Sequence, residues 1–222
     1  MKYKHRVGEL LMKDPGLTQK CLTLLMGVLM WCGLILPAAA NTTILLIGDS
    51  LSSGYGLQGP VWVEQANEVL ANQGHAVTII NDSISGDTTA GGVARIKDGI
   101  DRIQPDWIII ELGGNDGLRG VPPRTIEDNL RKMVNIADAN GVQTMLLGIR
   151  IPPNYGKSYT ELFERTFESV SEITGTPLLP YFIGEIGGDP QLNQADMIHP
   201  NDQAQPIIRD RVLPFIKSVL GI

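Results

Sequence analysis

Short apolar runs alternate with amphipathic stretches along most of the chain. Thr43–Ile47, Val77–Ile80, Trp107–Ile110 and Thr144–Leu147 are continuous apolar runs, and Pro177–Leu179 is a weaker fifth. Unbroken apolarity, rather than strict alternation, predicts strands buried on both faces of a parallel sheet. Apolar residues recur at helical spacing after each run. The stripes are Trp62, Ala66 and Val69, then Val93, Ile96, Ile100 and Ile103, then Ile126, Leu130, Met133 and Ala137. Phe163, Phe167 and Val170 follow, and Ile208, Val212, Phe215 and Val219 form the last. Five strand–helix units without a linker or repeat predict one three-layer α/β/α domain around a central five-stranded parallel sheet.

The first 40 residues do not fit this pattern. Lys2, Lys4, Arg6, Lys13 and Lys20 make the start basic, Cys21–Leu36 is almost wholly apolar, and Ala38-Ala39-Ala40 follows. This succession predicts a secretory signal peptide over 1–40, cleaved after about Ala40, with Met12 a second candidate start. The alternative is an uncleaved anchor, but the apolar run falls short of the ~20 residues that a spanning helix needs. No lipobox precedes Cys32. The expected mature chain is residues 41–222, a single domain located in the periplasm or secreted, with no stable membrane span after processing.

Removal of the leader changes what chemistry remains. The full chain has 222 residues, 43% hydrophobic and 19% charged, an ordinary globular composition that excludes collagen, coiled-coil and disordered classes. Its formal net charge is −6, and it becomes −9 without the leader's five Lys/Arg and two Asp/Glu. No Lys/Arg cluster offsets this, so nucleic acid is not an expected partner. Cys21 and Cys32 both lie in the leader, so the mature chain is expected to hold no disulfide and no thiolate ligand. With only His75 and His199 left, no zinc ligand set can be named.

Five strands suit a flavodoxin-like order, 2-1-3-4-5, although periodicity does not itself specify strand order. In such sheets ligands bind beyond the carboxyl ends of the strands, near the switch point between the first and third. The loops there are Gly48-Asp49-Ser50-Leu51-Ser52 and Gly113-Gly114-Asn115-Asp116-Gly117. The loop after the second strand, Asn81–Asp87, and the segment Asp196-Met197-Ile198-His199-Pro200 are similarly polar.

A nucleophile, a base and an oxyanion hole can be assembled from these loops. A serine hydroxyl needs a base to take its proton. His75 follows Asn72-Gln73-Gly74 and reads as a turn residue at the opposite end of the sheet. His199 lies just before the last helix, three residues after Asp196, a spacing that lets the carboxylate hold one imidazole tautomer. Ser50 follows the first strand at the expected mouth, whereas Ser52, Ser53, Ser83 and Ser85 compete on composition alone. The G-x-S-x-G elbow is absent, because position 52 is Ser. Backbone N–H groups at Ser50 and Gly86 and the side-chain amide of Asn115 are candidate oxyanion donors.

These residues carry a resemblance. Gly48-Asp49-Ser50-Leu51, Gly86, Gly113-x-Asn115-Asp116 and Asp196-x-x-His199 resemble, in order, the four blocks of the SGNH or GDSL serine hydrolases. Glu111–Gly120, Ser83–Thr88 and Asn154-Tyr155-Gly156 look like the periplasmic thioesterase/protease/lysophospholipase group of that family, which includes arylesterases. The resemblance covers nearly the whole mature chain. It implies the three-layer fold, a Ser50–His199–Asp196 triad, and an oxyanion hole of Ser50, Gly86 and Asn115. It also implies cofactor-free hydrolysis of small-molecule acyl esters and thioesters, lysophospholipids among them, with no partner protein. By the same resemblance, Leu118–Thr125 and Ile149–Tyr155 contact acyl chains. Leu118, Val121, Ile149 and Ile151, with Leu51 and Leu57, either line an acyl groove or anchor these loops to the core. Arg119, Arg124 and Arg150 are too scattered to predict an anion clamp.

Two alternatives compete with this reading. Gly54-x-Gly56-x-x-Gly59 matches a dinucleotide fingerprint, with Asp82 at a plausible distance, but Gly48-Asp49-Ser50 already occupies the turn that the fingerprint should open. A noncatalytic exported flavin- or small-ligand-binding module on a flavodoxin-like fold is the other.

Overall fold

Strand β1 (Thr42–Gly48) is the axis of the sheet, and its residues Ile44, Leu45, Leu46 and Ile47 are wholly buried. A strand flanked by strands on both edges and helices on both faces leaves no solvated side, which is why its sequence is apolar without alternation. The computed structural model describes residues 41–222, so the expected signal peptide lies outside the described residues. Strands β2 (Val77–Asn81) and β3 (Trp107–Glu111) pair in parallel with β1 on its two sides. Strands β4 (Gln143–Leu147) and β5 (Leu178–Leu179) extend the sheet beyond β3. The order is β2-β1-β3-β4-β5, all parallel.

Seven α-helices are found among the described residues. The five long ones are α2 (Trp62–Asn72), α3 (Thr89–Ile103), α5 (Pro123–Ala139), α6 (Lys157–Thr174) and α7 (Gln205–Leu220). Two short ones, α1 (Ser50–Ser53) and α4 (Gly114–Leu118), directly follow the ends of β1 and β3. Helices α2 and α7 pack on each other, while α5 packs against both α3 and α6. These two groups are the outer layers of the α/β/α domain. The predicted stripes face inward: Ile126, Leu130, Met133 and Ala137 of α5 are all fully buried. Close approach of α3 depends on Gly92, where any Cβ would collide with Leu112 and Met133.

The weak fifth run forms the shortest strand. Leu178 and Leu179 are only half-buried, as an edge strand with one neighbour should be. Pro177 has no N–H to give to a ladder, but its carbonyl accepts from Leu146 at 2.8 Å. The two short helices were not expected from periodicity, since four or five residues are too few to show a stripe. Among the described residues, no helix is long and apolar enough to cross a membrane.

Candidate active site

The register of the sheet sets the site. Gly48, last in β1, lies opposite Glu111, last in β3, so the loops after these strands leave the sheet side by side. Asp49 caps α1 by accepting the Leu51 N–H on Oδ1 at 3.0 Å. That cap puts Ser50 in the first position of the helix, at the carboxyl end of the sheet. After β3, Gly113 takes φ +122°, a conformation that favours glycine, and α4 begins with Asn115 in its first turn.

Asn115 is held from the loop after β1. Its Nδ2 donates to Asp49 Oδ2 at 3.0 Å, leaving the second amide hydrogen free for another acceptor. Asp49 is 1% exposed, and this desolvation pushes its carboxyl up to about 6, against the opposing pull of the Leu51 and Asn115 hydrogen bonds. Asp116 has a structural task beside it, accepting from both the N–H and the hydroxyl of Thr89 and so tying α4 to the start of α3.

The loop after β2 is fastened at several points. Ile84 N–H donates to the Gly48 carbonyl at 3.0 Å, and Ser85 and Ser53 share a hydroxyl hydrogen bond of 2.7 Å. Arg95 of α3 reaches the Asp87 carboxylate at 2.8 Å, the Asp82 carbonyl at 2.7 Å and the Gly48 carbonyl at 3.3 Å. This loop carries Gly86 at φ +81°, with its carbonyl accepting from Arg119 at 3.1 Å.

The fourth segment arrives from the far end of the chain. His199 Nε2 lies 2.9 Å from Ser50 Oγ, and His199 Nδ1 lies 2.6 Å from Asp196 Oδ2. An imidazole that donates from Nδ1 to the carboxylate leaves Nε2 as an acceptor for the serine hydroxyl. Asp196 Oδ1 also accepts the N–H groups of Ile198 and His199, both at 3.0 Å. Burial alone would raise its carboxyl, but the backbone and ring hydrogen bonds of His199, with the Ile198 N–H, hold it down at about 2. Met197 takes φ +59° to let this short loop turn back on itself. The other face of the imidazole meets Tyr55, ring centroids 4.6 Å apart. His75 belongs to the turn after α2, where its N–H donates to the Leu70 carbonyl.

Thus Ser50, His199, Asp196 and Asn115 converge, with the Gly86 loop tied to the same turn. Tyr55 and Arg95 carry no signal in the sequence, and Glu111 is legible there only as the start of the Glu111–Gly120 block. The dinucleotide-like glycines lie elsewhere: Gly54 closes α1, and the N–H groups of Gln58 and Gly59 donate to the Asp202 carboxylate. An acidic side chain on those amides opposes phosphate binding there.

Residues 46–206 match the model of the GDSL-like Lipase/Acylhydrolase family. The chain belongs to this family. The GDSL hydrolase is 43% identical over 190 residues to "Esterase TesA" of Pseudomonas aeruginosa, covering 84% of this chain and 94% of that protein. It is 41% identical over 174 residues to "Thioesterase 1/protease 1/lysophospholipase L1" of Escherichia coli K12, covering 78% of this chain and 82% of the relative. Among solved structures, the psychrotrophic esterase EstA from Pseudoalteromonas sp., inhibited by monoethylphosphonate, superposes with a TM-score of 0.79 at 40% identity. That match covers 82% of this chain and all of the other. The GDSL hydrolase is therefore an enzyme, a serine hydrolase of carboxylic esters.

The apolar residues considered for the acyl groove divide into two groups. Ile149 and Ile151 of this GDSL hydrolase are 3% and 7% exposed, and Leu51 is buried with them. Ile149 packs under Gly114 and Ile151 under Gly117, so both are core side chains supporting α4 from below. Leu57, Leu118 and Val121 are half-buried. Tyr155 and Tyr159 fasten the 118–121 segment, donating to the Leu118 and Val121 carbonyls at 3.0 and 2.7 Å. Exposed Tyr55, Ile84, Met197 and Ile198 belong to the loops that carry the site. Arg150 is engaged with Glu164 and the Tyr181 ring, away from any clamp.

Proposed function

We propose that this GDSL hydrolase is an exported enzyme that cleaves acyl esters and thioesters through a Ser50–His199–Asp196 triad and an acyl-enzyme intermediate. The observation that carries the reading is the unbroken relay from Ser50 Oγ to His199 Nε2 at 2.9 Å and from Nδ1 to Asp196 at 2.6 Å. Ser50 Oγ attacks the acyl carbon as His199 takes its proton. The carbonyl oxygen becomes an oxyanion and receives the N–H groups of Ser50 and Gly86 and the free amide hydrogen of Asn115. Collapse expels the alcohol or thiol, which leaves with the proton held on His199. Water then repeats the sequence on the acyl-Ser50 ester and frees the acid. Asp196 stays ionised throughout and stabilises the imidazolium.

The acyl chain lies against Leu118 and Val121, with Ile149 and Ile151 supporting that wall from the core. Recognition through the acyl chain accommodates several leaving groups, including aryl alcohols, thiols and the glycerophosphodiester alcohol of lysophospholipids. The names of the relatives, esterase and thioesterase/lysophospholipase, support this breadth. Export rests on the basic, apolar and small-residue succession of residues 1–40. Two measurements test the proposal. Mass spectrometry of phosphonate-treated protein should find the adduct on Ser50, and an adduct on Ser52 or Ser83 would overturn the assignment. N-terminal sequencing of the exported protein should begin near Asn41, and retention of Leu22–Leu36 would refute cleavage.

A further inference from the structure

Below the nucleophile turn lies an acidic group that the triad does not use. Glu111 closes β3 directly opposite Gly48 and is completely buried. Its Oε2 accepts the Asp49 N–H at 3.2 Å and the Ser52 hydroxyl at 2.8 Å. Ser52 Oγ in turn accepts the Trp62 indole N–H at 3.2 Å, and Trp62 and Ser52 are themselves fully buried. Both hydrogen bonds to the carboxyl fall on this one oxygen, Oε2. Oε1 is buried and has no hydrogen-bond partner.

The neighbouring Asp49 is arranged differently. Both of its oxygens are used, Oδ1 by the Leu51 N–H and Oδ2 by Asn115. Among the described residues, no cation pairs with either carboxyl. Two adjacent carboxylates in a dry site repel, so one of such a pair keeps its proton. The group with a donor on each oxygen is better suited to carry the charge, and that group is Asp49.

We propose that Glu111 is a positioning residue for the oxyanion hole: held as a neutral acid, it anchors the turn at Asp49 and Ser52 and leaves Asp49 ionised to orient the Asn115 amide. The inference rests on the reading of Asn115 as an oxyanion donor. Burial, reinforced by the charge of Asp49, raises the Glu111 carboxyl well above its ordinary range. A neutral floor also avoids a second negative charge beneath the place where negative charge develops in the transition state. Loss of the carboxyl would strand the Asp49 N–H and the Ser52 hydroxyl, freeing the turn to move.

Steady-state hydrolysis of a p-nitrophenyl ester by wild type, Glu111→Gln and Glu111→Ala tests this, with Ser50→Ala as the blank. Glutamine presents an acceptor oxygen and an uncharged donor group, as a neutral acid does. Glu111→Ala is expected to lower kcat about tenfold or more with KM changed by less than about twofold, and Glu111→Gln to restore kcat to within about threefold of wild type. Infrared difference spectra of wild type minus Glu111→Gln at about pH 8 should show the carbonyl band of a protonated carboxylic acid. A carboxylate band in its place, a glutamine variant as impaired as alanine, or an alanine variant with wild-type kcat would overturn the proposal. If Glu111→Ala does not fold, Ser52→Ala replaces it, with kcat expected to fall and KM to hold, and an unchanged kcat would overturn the role. Full hydrolysis by Ser50→Ala would instead overturn the triad reading itself.

Discussion

Asn115 and Asp49, 66 residues apart, are joined by a 3.0 Å hydrogen bond from Nδ2 to Oδ2. The contact directs one amide hydrogen into the turn after β1, so the other is oriented without a further partner. Replacement of Asn115 by Ala should cut kcat by roughly 100–1000-fold with little change in KM, as for loss of one oxyanion donor. Asp49→Asn should also reduce kcat. A neutral amide has one acceptor oxygen and cannot serve both the Leu51 N–H and Asn115. Stopped-assay kinetics on both variants check this, and a change confined to KM would place Asn115 in ground-state binding.

Ser50→Ala and His199→Ala should each abolish measurable turnover while the fold, followed by circular dichroism, stays intact. The two are joined by a 2.9 Å hydrogen bond, and in the proposed triad they act as one unit. The double variant should therefore be little worse than either single one. Multiplicative losses would show that they do not cooperate. His75→Ala, in a turn after α2, should remain near wild type.

Asp196 should matter for orientation and, modestly, for acid stability. Asp196→Asn is expected to lower kcat by about 100- to 10,000-fold, because an amide can hold the wrong imidazole tautomer. Its folded-state carboxyl lies at about 2, below the ordinary 3.8, so its ionised form stabilises the native state above pH 3.8. That contribution disappears as pH falls through about 2. The side chain is 40% exposed, so the effect should be about 1 kcal/mol or less. Thermal melts of wild type and Asp196→Asn should differ most above pH 4 and converge towards pH 2. A gap that widens on acidification would contradict the sign.

Acyl chain length should register at Leu118 and Val121. Each buried methylene contributes at most about 0.8 kcal/mol, so kcat/KM should rise a few-fold per carbon until the wall is covered. Ester and acyl-CoA series measured below their micelle concentrations give the slope. Val121→Ser should flatten it, whereas Ile151→Ala, a core truncation, should cost roughly 2–5 kcal/mol of stability. A flat wild-type series from acetyl onward would point to a small-ester specialist.

The alternation of apolar runs and helical stripes determined the layers of this protein, because burial on both sheet faces leaves a pattern in each segment separately. The four polar blocks, three at strand ends and one before the last helix, were visible for a similar reason, since short polar loops interrupt that pattern. Other features depend on segments distant in the chain. Ser50 and His199 are 149 positions apart, and their 2.9 Å contact exists because α7 packs beside α2 and delivers the preceding loop to the end of β1. Glu111 looks like the polar end of a strand until register sets it against Gly48 and removes it from water. Ile149 and Ile151 sit in a loop by sequence, yet packing beneath Gly114 and Gly117 turns them inward. Hydrophobic periodicity reports whether a segment is buried, whereas register and packing decide which atoms it is buried against.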